Sequence, residues 1–213
     1  MRILSTILTA VTLTLNACGG SGSTGPVGRT PTLSIAITTN PIVSGTSAQA
    51  SATVTDASGN TSPASGVTWS SANPSVANIN ATGLVTGAVA GTATIVAQSG
   101  GVTGQATVTV TPGAPASVSI YSGDSQSGTH GSQLPDPLCV LVKDAHGNVV
   151  PGVVATYSVA TGGGMLAAPT APSTDGLGVA ISGLWSLGSL VGQQTVVASV
   201  SGAGSVTFKA TAQ

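Results

Sequence analysis

Two short stretches carry the residue types that could do chemistry: "DASGN" from Asp56 to Asn60 and "DAHGN" from Asp144 to Asn148. A carboxylate, a glycine and an amide at fixed spacing suit either a calcium loop, a catalytic aspartate or a tight turn. Calcium takes six to eight oxygens, usually from several carboxylates. The chain holds five Asp and no Glu, one Asp in each stretch, so the ligand count is too low. The turn needs only what is present. Asp bonds the backbone two residues on, Gly supplies a positive φ, and Asn tolerates left-handed geometry. The expectation is therefore a turn, with Asp56→Asn and Asp144→Asn nearly silent.

Other reactive groups are sparse. Asp124, Asp136 and Asp175 fall in separate turn-like stretches, His130 and His146 are the only histidines, and Glu is lacking for paired-carboxylate work. No Gly-x-Ser-x-Gly, His-Glu-x-x-His or phosphate-loop pattern occurs, and "ATGGGMLA" from Ala160 to Ala167 lacks a lysine and a following helix. It reads as a strand connection with positive φ values. Cys139 alternates within "PLCVLVKD" and reads as a buried or half-buried strand residue. The sequence predicts no enzyme and no cofactor.

The elements that hold these residues are strands. In 213 residues only 4% are charged, with 4 Lys+Arg, while 41% are apolar, aromatics are 2%, and Gly and Pro number 30 and 12. Nucleic acid is excluded as a partner because phosphate binding needs clustered cations. Disorder is excluded by the apolar content. Short alternating runs such as "LSIAIT", "GTATIVAQ" and "GQATVTVTP" follow one another from Leu33, and a second series including "ASVSIYS", "PLCVLVKD" and "QQTVVASVS" follows a Pro112 to Pro115 hinge. Pro63 and Trp69 follow Asp56 at the offsets at which Pro151 and Tyr157 follow Asp144, and "AGTATIVA" ending at Ala97 parallels "VGQQTVVA" ending at Ala198. One module is thus written twice. Trp69, Tyr157, Trp185 and Phe208 lie on alternating runs and are expected in cores.

The N-terminus, "MRILSTILTAVTLTLNACGG", places Arg2 before an apolar run too short for a permanent span. Leu15-Asn16-Ala17-Cys18 resembles the lipobox of bacterial lipoproteins. That resemblance implies cleavage after residue 17, acylation of Cys18, anchorage in a lipid bilayer, and transport to the outer membrane, since no Asp follows Cys18. Residues 18–32 form a flexible Gly/Ser/Pro tether.

Residues 33–112, with "GVTWSSANPSVANINATGLVTGAVAGTATIVAQSGG", resemble a bacterial immunoglobulin-like domain of group 2. Residues 115–213, with "VKDAHGNVVPGVVATYSVATGGGMLAAP" and "STDGLGVAISGLWSLGSLVGQQTVVASVSG", resemble the group 1 repeats of the intimin and invasin family. These resemblances imply an all-β chain of two tandem immunoglobulin-like β-sandwiches. They imply a surface stalk or adhesion module, with carbohydrate or partner binding as the alternative and a surface glycan or protein as ligand. The ending at Gln213 leaves no receptor-binding tip of the kind some of that family carry, so the stalk role is the one expected to carry over.

Overall fold

The computed structural model describes residues 29–213; Cys18 and most of the tether lie outside the described residues. Among the described residues the regular elements are strands. The chain separates into two compact units, one ending at Thr111 and the other running from Pro112 to Gln213.

The first unit is built from β1 (Thr32–Ile37), β2 (Ile42–Val43), β3 (Ser47–Thr55), β4 (Thr61–Pro63), β5 (Thr68–Ser71), β6 (Ala77–Ile79), β7 (Leu84–Gly87), β8 (Gly91–Ser99) and β9 (Val102–Thr111). One sheet has the order β1-β3-β7-β6 with β4 beside β3, and the other has β2-β9-β8-β5. The first strand changes sheets: β1 runs antiparallel to β3, and β2 runs parallel to β9. Strict alternation explains the burial. Along β8, Ala93, Ile95 and Ala97 point inward while Thr92, Thr94 and Gln98 face out, as a half-buried strand requires.

The second unit repeats this plan with β10 (Pro115–Ser122), β11 (Gln126–Gly128), β12 (Cys139–Asp144), β13 (Ala155–Thr161), β14 (Met165–Leu166), β15 (Val179–Ile181), β16 (Trp185–Ser186), β17 (Gly192–Val200) and β18 (Gly204–Ala212). Its sheets are β10-β12-β15 and β11-β18-β17-β13, with β14 and β16 pairing apart. Again the first strand changes sheets, β11 running parallel to β18. Two antiparallel sheets in this order, with a switching first strand, are immunoglobulin-like sandwiches. The duplication is in register: Trp69 lies opposite Ala97, and Tyr157 lies opposite Ala198.

One element departs from the duplication. In the first unit β6 pairs with β7, whereas in the second the segment 170–174 bonds toward β13, with Tyr157 N donating to Thr170 O at 2.7 Å and Ala155 N to Pro172 O at 2.9 Å. It closes the flank of the second core instead of extending the sheet beyond β15.

The cores are aliphatic with a few aromatics. In the second unit Trp185, Phe208 and Tyr157 are buried among Leu134, Leu138 and Val196, and the Tyr157 and Phe208 rings lie 6.2 Å apart. The Tyr157 hydroxyl donates to Ala180 O at 2.7 Å, and burial pushes its ionisation upward. In the first unit Trp69 is only half-buried, its ring covering both the cluster around Ile95 and the cluster around Ala97. Each unit owns one tryptophan, so the two report separately on unfolding. Phe208→Ala should cost about 4 kcal/mol and Trp69→Ala about 3, because the second leaves a partly solvent-filled gap; denaturant titration followed by far-UV circular dichroism measures both, since Trp69→Ala removes the first unit's own fluorophore.

Candidate functional site

The two Asp-Ala-x-Gly-Asn stretches end β3 and β12. In the first, Asp56 Oδ1 accepts the N–H groups of Ser58 and Asn60, each at 2.9 Å, and Asn60 Nδ2 donates to Oδ2 at 3.1 Å. Asp56 N donates to Asn60 O at 3.0 Å, and Gly59 N to Asp56 O at 3.0 Å. The second has the same pattern: Asp144 Oδ1 accepts His146 N and Asn148 N at 2.8 Å, and Oδ2 accepts Asn148 Nδ2 at 3.0 Å. Gly59 and Gly147 have φ of 88° and 84°, where a Cβ is penalised. Each carboxylate is thus turned onto its own backbone.

The two copies differ in burial. Asp56 is exposed, whereas Asp144 is 4% exposed and takes a further bond from Gly113 N at 2.8 Å, tying the start of the second unit to the turn. This alters one expectation from sequence. Asn at 56 keeps the Oδ1 bonds, and the exposed Asn60 amide can rotate. Asn at 144 would aim an NH2 at two donors, Asn148 Nδ2 and Gly113 N, in a buried place, so that substitution is not silent.

Sequence reading missed two further copies. Asn80 Oδ1 accepts Thr82 N at 3.0 Å and Leu84 N at 2.9 Å, and Asp175 Oδ1 accepts Leu177 N at 2.8 Å and Val179 N at 3.0 Å. Gly83 and Gly178 stand at φ of 81° and 74°, in the place of Gly59 and Gly147. The signal was available as Asn or Asp with Gly three residues on, in "NATGL" and "DGLGV". It was hidden because these turns end in Leu and Val, the first residues of β7 and β15.

The remaining reactive groups are not brought together. Among the described residues no three His, Cys, Asp or Glu side chains cluster as a metal group. Asp124 Oδ1 accepts Lys209 N at 2.7 Å and Oδ2 accepts the Ser125 hydroxyl. Cys139 is buried and its thiol faces Pro137 O at 3.8 Å. His146 lies past the far end of β12, about 17 Å along the strand at its usual rise.

The glycine run is a packing device. Gly162 and Gly163 have φ of 88° and 68° and lie against the 188–190 loop. Between them sits Gln194, 1% exposed, with Oε1 accepting Gly188 N and Nε2 donating to Leu190 O, both at 2.8 Å. A Cβ on Gly162 would meet the Gln194 side chain. A shallow hollow of about 90 Å³ beside Asn78, Asn80 and Leu84 is far below the roughly 300–1,000 Å³ of ordinary ligand pockets.

This strand arrangement has known counterparts. Residues 31–110 match the family model described as bacterial Ig-like domain (group 2). No curated protein matches the sequence. Among solved structures, FdeC, described as an Escherichia coli adhesin, superposes with a TM-score of 0.51 at 21% identity, covering 84% of this chain and 63% of its own. InvD of Yersinia pseudotuberculosis superposes at 0.51 with 18% identity, covering 86% of this chain and 57% of its own. The chain therefore spans less than two thirds of either structure, and at these identities the likeness is one of Ig-like fold.

Asp144→Asn should destabilise its unit by about 1–3 kcal/mol and Asp56→Asn by under about 0.5, read by thermal melting. The Asp56 carboxyl is held below its ordinary value, first by the Asn60 N–H and then by the Asn60 side-chain amide. A depressed folded pKa means the bonds persist above the ordinary value and fail as pH falls through the folded one. The Asn60 amide resonance should therefore move only below about pH 4, and not at all in Asp56→Asn.

Proposed function

We propose that this chain is a non-catalytic, lipid-anchored protein of the bacterial outer membrane. In this reading its two immunoglobulin-like sandwiches serve as a surface stalk or adhesion module, the second being a group 1 repeat of the intimin and invasin kind. The observation that carries the proposal is the use made of the carboxylates. Asp56, Asp144 and Asp175 are each spent on two backbone N–H groups of their own turn, so the polar residues at the strand ends serve architecture. A tandem of such rigid modules spaces whatever lies beyond it from its anchor. Support for the surface role comes from the group 2 match over residues 31–110 and from the fold shared with an Escherichia coli adhesin.

The anchor assigned by this proposal is Cys18, preceded by Leu15-Asn16-Ala17 and followed by a Gly/Ser run. Several buried acyl chains on one residue would hold the chain stably where a single chain would not. Mass spectrometry of the mature protein should find an acylated N-terminal Cys18, and Cys18→Ser should release the chain from the membrane fraction. A mature chain that begins elsewhere and fractionates identically in Cys18→Ser would refute the anchor.

A further inference from the structure

Resting on that adhesive reading, we propose that the outward faces of the β2-β9-β8-β5 and β11-β18-β17-β13 sheets bind a neutral polysaccharide. The starting point is what the duplication preserves. Core positions recur because the sandwich needs them, but an outward side chain packs against nothing and is free to differ between units. On the other sheet most outward positions do differ. The edge strands keep a serine, Ser34 opposite Thr53 matching Ser119 opposite Leu141. Counting back from Asp56 and Asp144, however, the outward residues Thr53 and Thr55 of β3 correspond to Leu141 and Lys143 of β12, and Ser51 corresponds to the buried Cys139. Counting forward from Asn80 and Asp175, Thr86 of β7 corresponds to Ile181 of β15.

The four-stranded sheets behave otherwise. With Trp69 opposite Ala97 and Tyr157 opposite Ala198 as the common reference, Ser70 matches Ser158, Thr94 matches Thr195, and Val96 matches Val197. Thr68 likewise matches Thr156, and Thr109 on β9 matches Thr211 on β18. Where the residue changes it stays within one class at most positions, Gln98 becoming Ser199 and Gln105 becoming Thr207; the exception is Thr107, which becomes Lys209. Each face is thus a valine ringed by hydroxyls and amides, with one lysine added in the second unit.

The chemistry of the face names its partner. Neighbours on one face are separated by about 4.8 Å across strands and nearly 7 Å along them, and every hydroxyl can donate once and accept twice. In the first unit the hydroxyls of Thr92, Thr94 and Thr107 make no hydrogen bond within the described residues, so they are available to a ligand. A polysaccharide offers matching hydroxyls around aliphatic C–H groups, which the central valine can meet. Charge excludes the rivals. An anionic glycan would need cations, and Lys209 is the single charged side chain on the strands of these faces; a basic partner would need carboxylates, and those strands carry none, Asp124 at the β18 edge being turned onto Lys209 N and the Ser125 hydroxyl. Individual bonds of this kind are weak in water, so two copies on one chain raise avidity by making the second contact intramolecular.

The test uses the detergent-solubilised full chain on beads of cellulose, chitin and dextran, with alginate and heparin as anionic controls. The chain should be retained on at least one neutral polymer, and about 0.5 M NaCl should not release it, because no ion pair is involved. Thr94→Glu with Thr195→Glu should weaken retention at least about tenfold, each single variant less, and Thr53→Glu on the opposite sheet should not change it. All these positions are on strand exteriors, and unchanged melting temperatures would show that the variants fold. Retention on no neutral polymer, retention on the anionic beads alone, or retention unchanged in the double variant would each overturn the proposal. If cells displaying the chain adhere while the purified chain holds none of the neutral polymers, adhesion stands and this assignment of its ligand fails.

Discussion

The structure depends on one local interaction, a side-chain oxygen that accepts the backbone N–H groups two and four residues ahead of it. Asp56, Asn80, Asp144 and Asp175 all make it, each with a left-handed glycine three residues on. A side-chain period of two means that a slip of one residue would turn a whole strand inside out. These turns fix the count of residues at the reversal, so the strand that follows enters with its apolar face inward. A chain with few large side chains needs that control, because Ala and Val alone discriminate poorly between registers.

Burial then decides how much each turn matters. At the exposed Asp56 the bonds compete with water, while at Asp144 the same carboxylate also holds Gly113 and has no solvent to fall back on. The buried copy is therefore part of the second unit's core, and the exposed one is a guide for chain reversal. Gln194 works similarly at the other end of that unit, where its amide replaces the backbone partners that the triglycine loop and the 188–190 loop cannot offer each other.

Much of this was legible in the sequence, for identifiable reasons. The period-two alternation of "GTATIVAQ" and "QQTVVASVS" appears directly as β8 and β17, and the shared offsets to Trp69 and Tyr157 reappear as matched pairing with Ala97 and Ala198. Positive φ at Gly59 and Gly147 was equally readable. What escaped was non-local. Nothing in "APTAPSTD" tells that segment 170–174 leaves the β15 edge for β13, since that choice depends on which flank of the core is open. Gln194 occupies an inward position that pattern alone assigns to an apolar residue, and only the facing glycines explain it. The alternation of Trp69 with Val67 predicts a core residue, and its ring is half-buried, packed over two clusters at the edge of a shallow interior of small residues. The preserved outer faces were visible only once the strand register showed which residues share a side.

The acidic turns are scaffold, their oxygens committed to the backbone and unavailable to an ion. A thermal melt of the purified chain across calcium concentrations tests this most directly. A ligand that binds only the folded state raises stability with the logarithm of its concentration over its dissociation constant. Melts should superimpose from calcium-free buffer to about 10 mM, well above the weakest extracellular calcium sites. A melting temperature that climbs with calcium, and stops doing so in the Asp56→Asn and Asp144→Asn variants, would contradict a scaffold role.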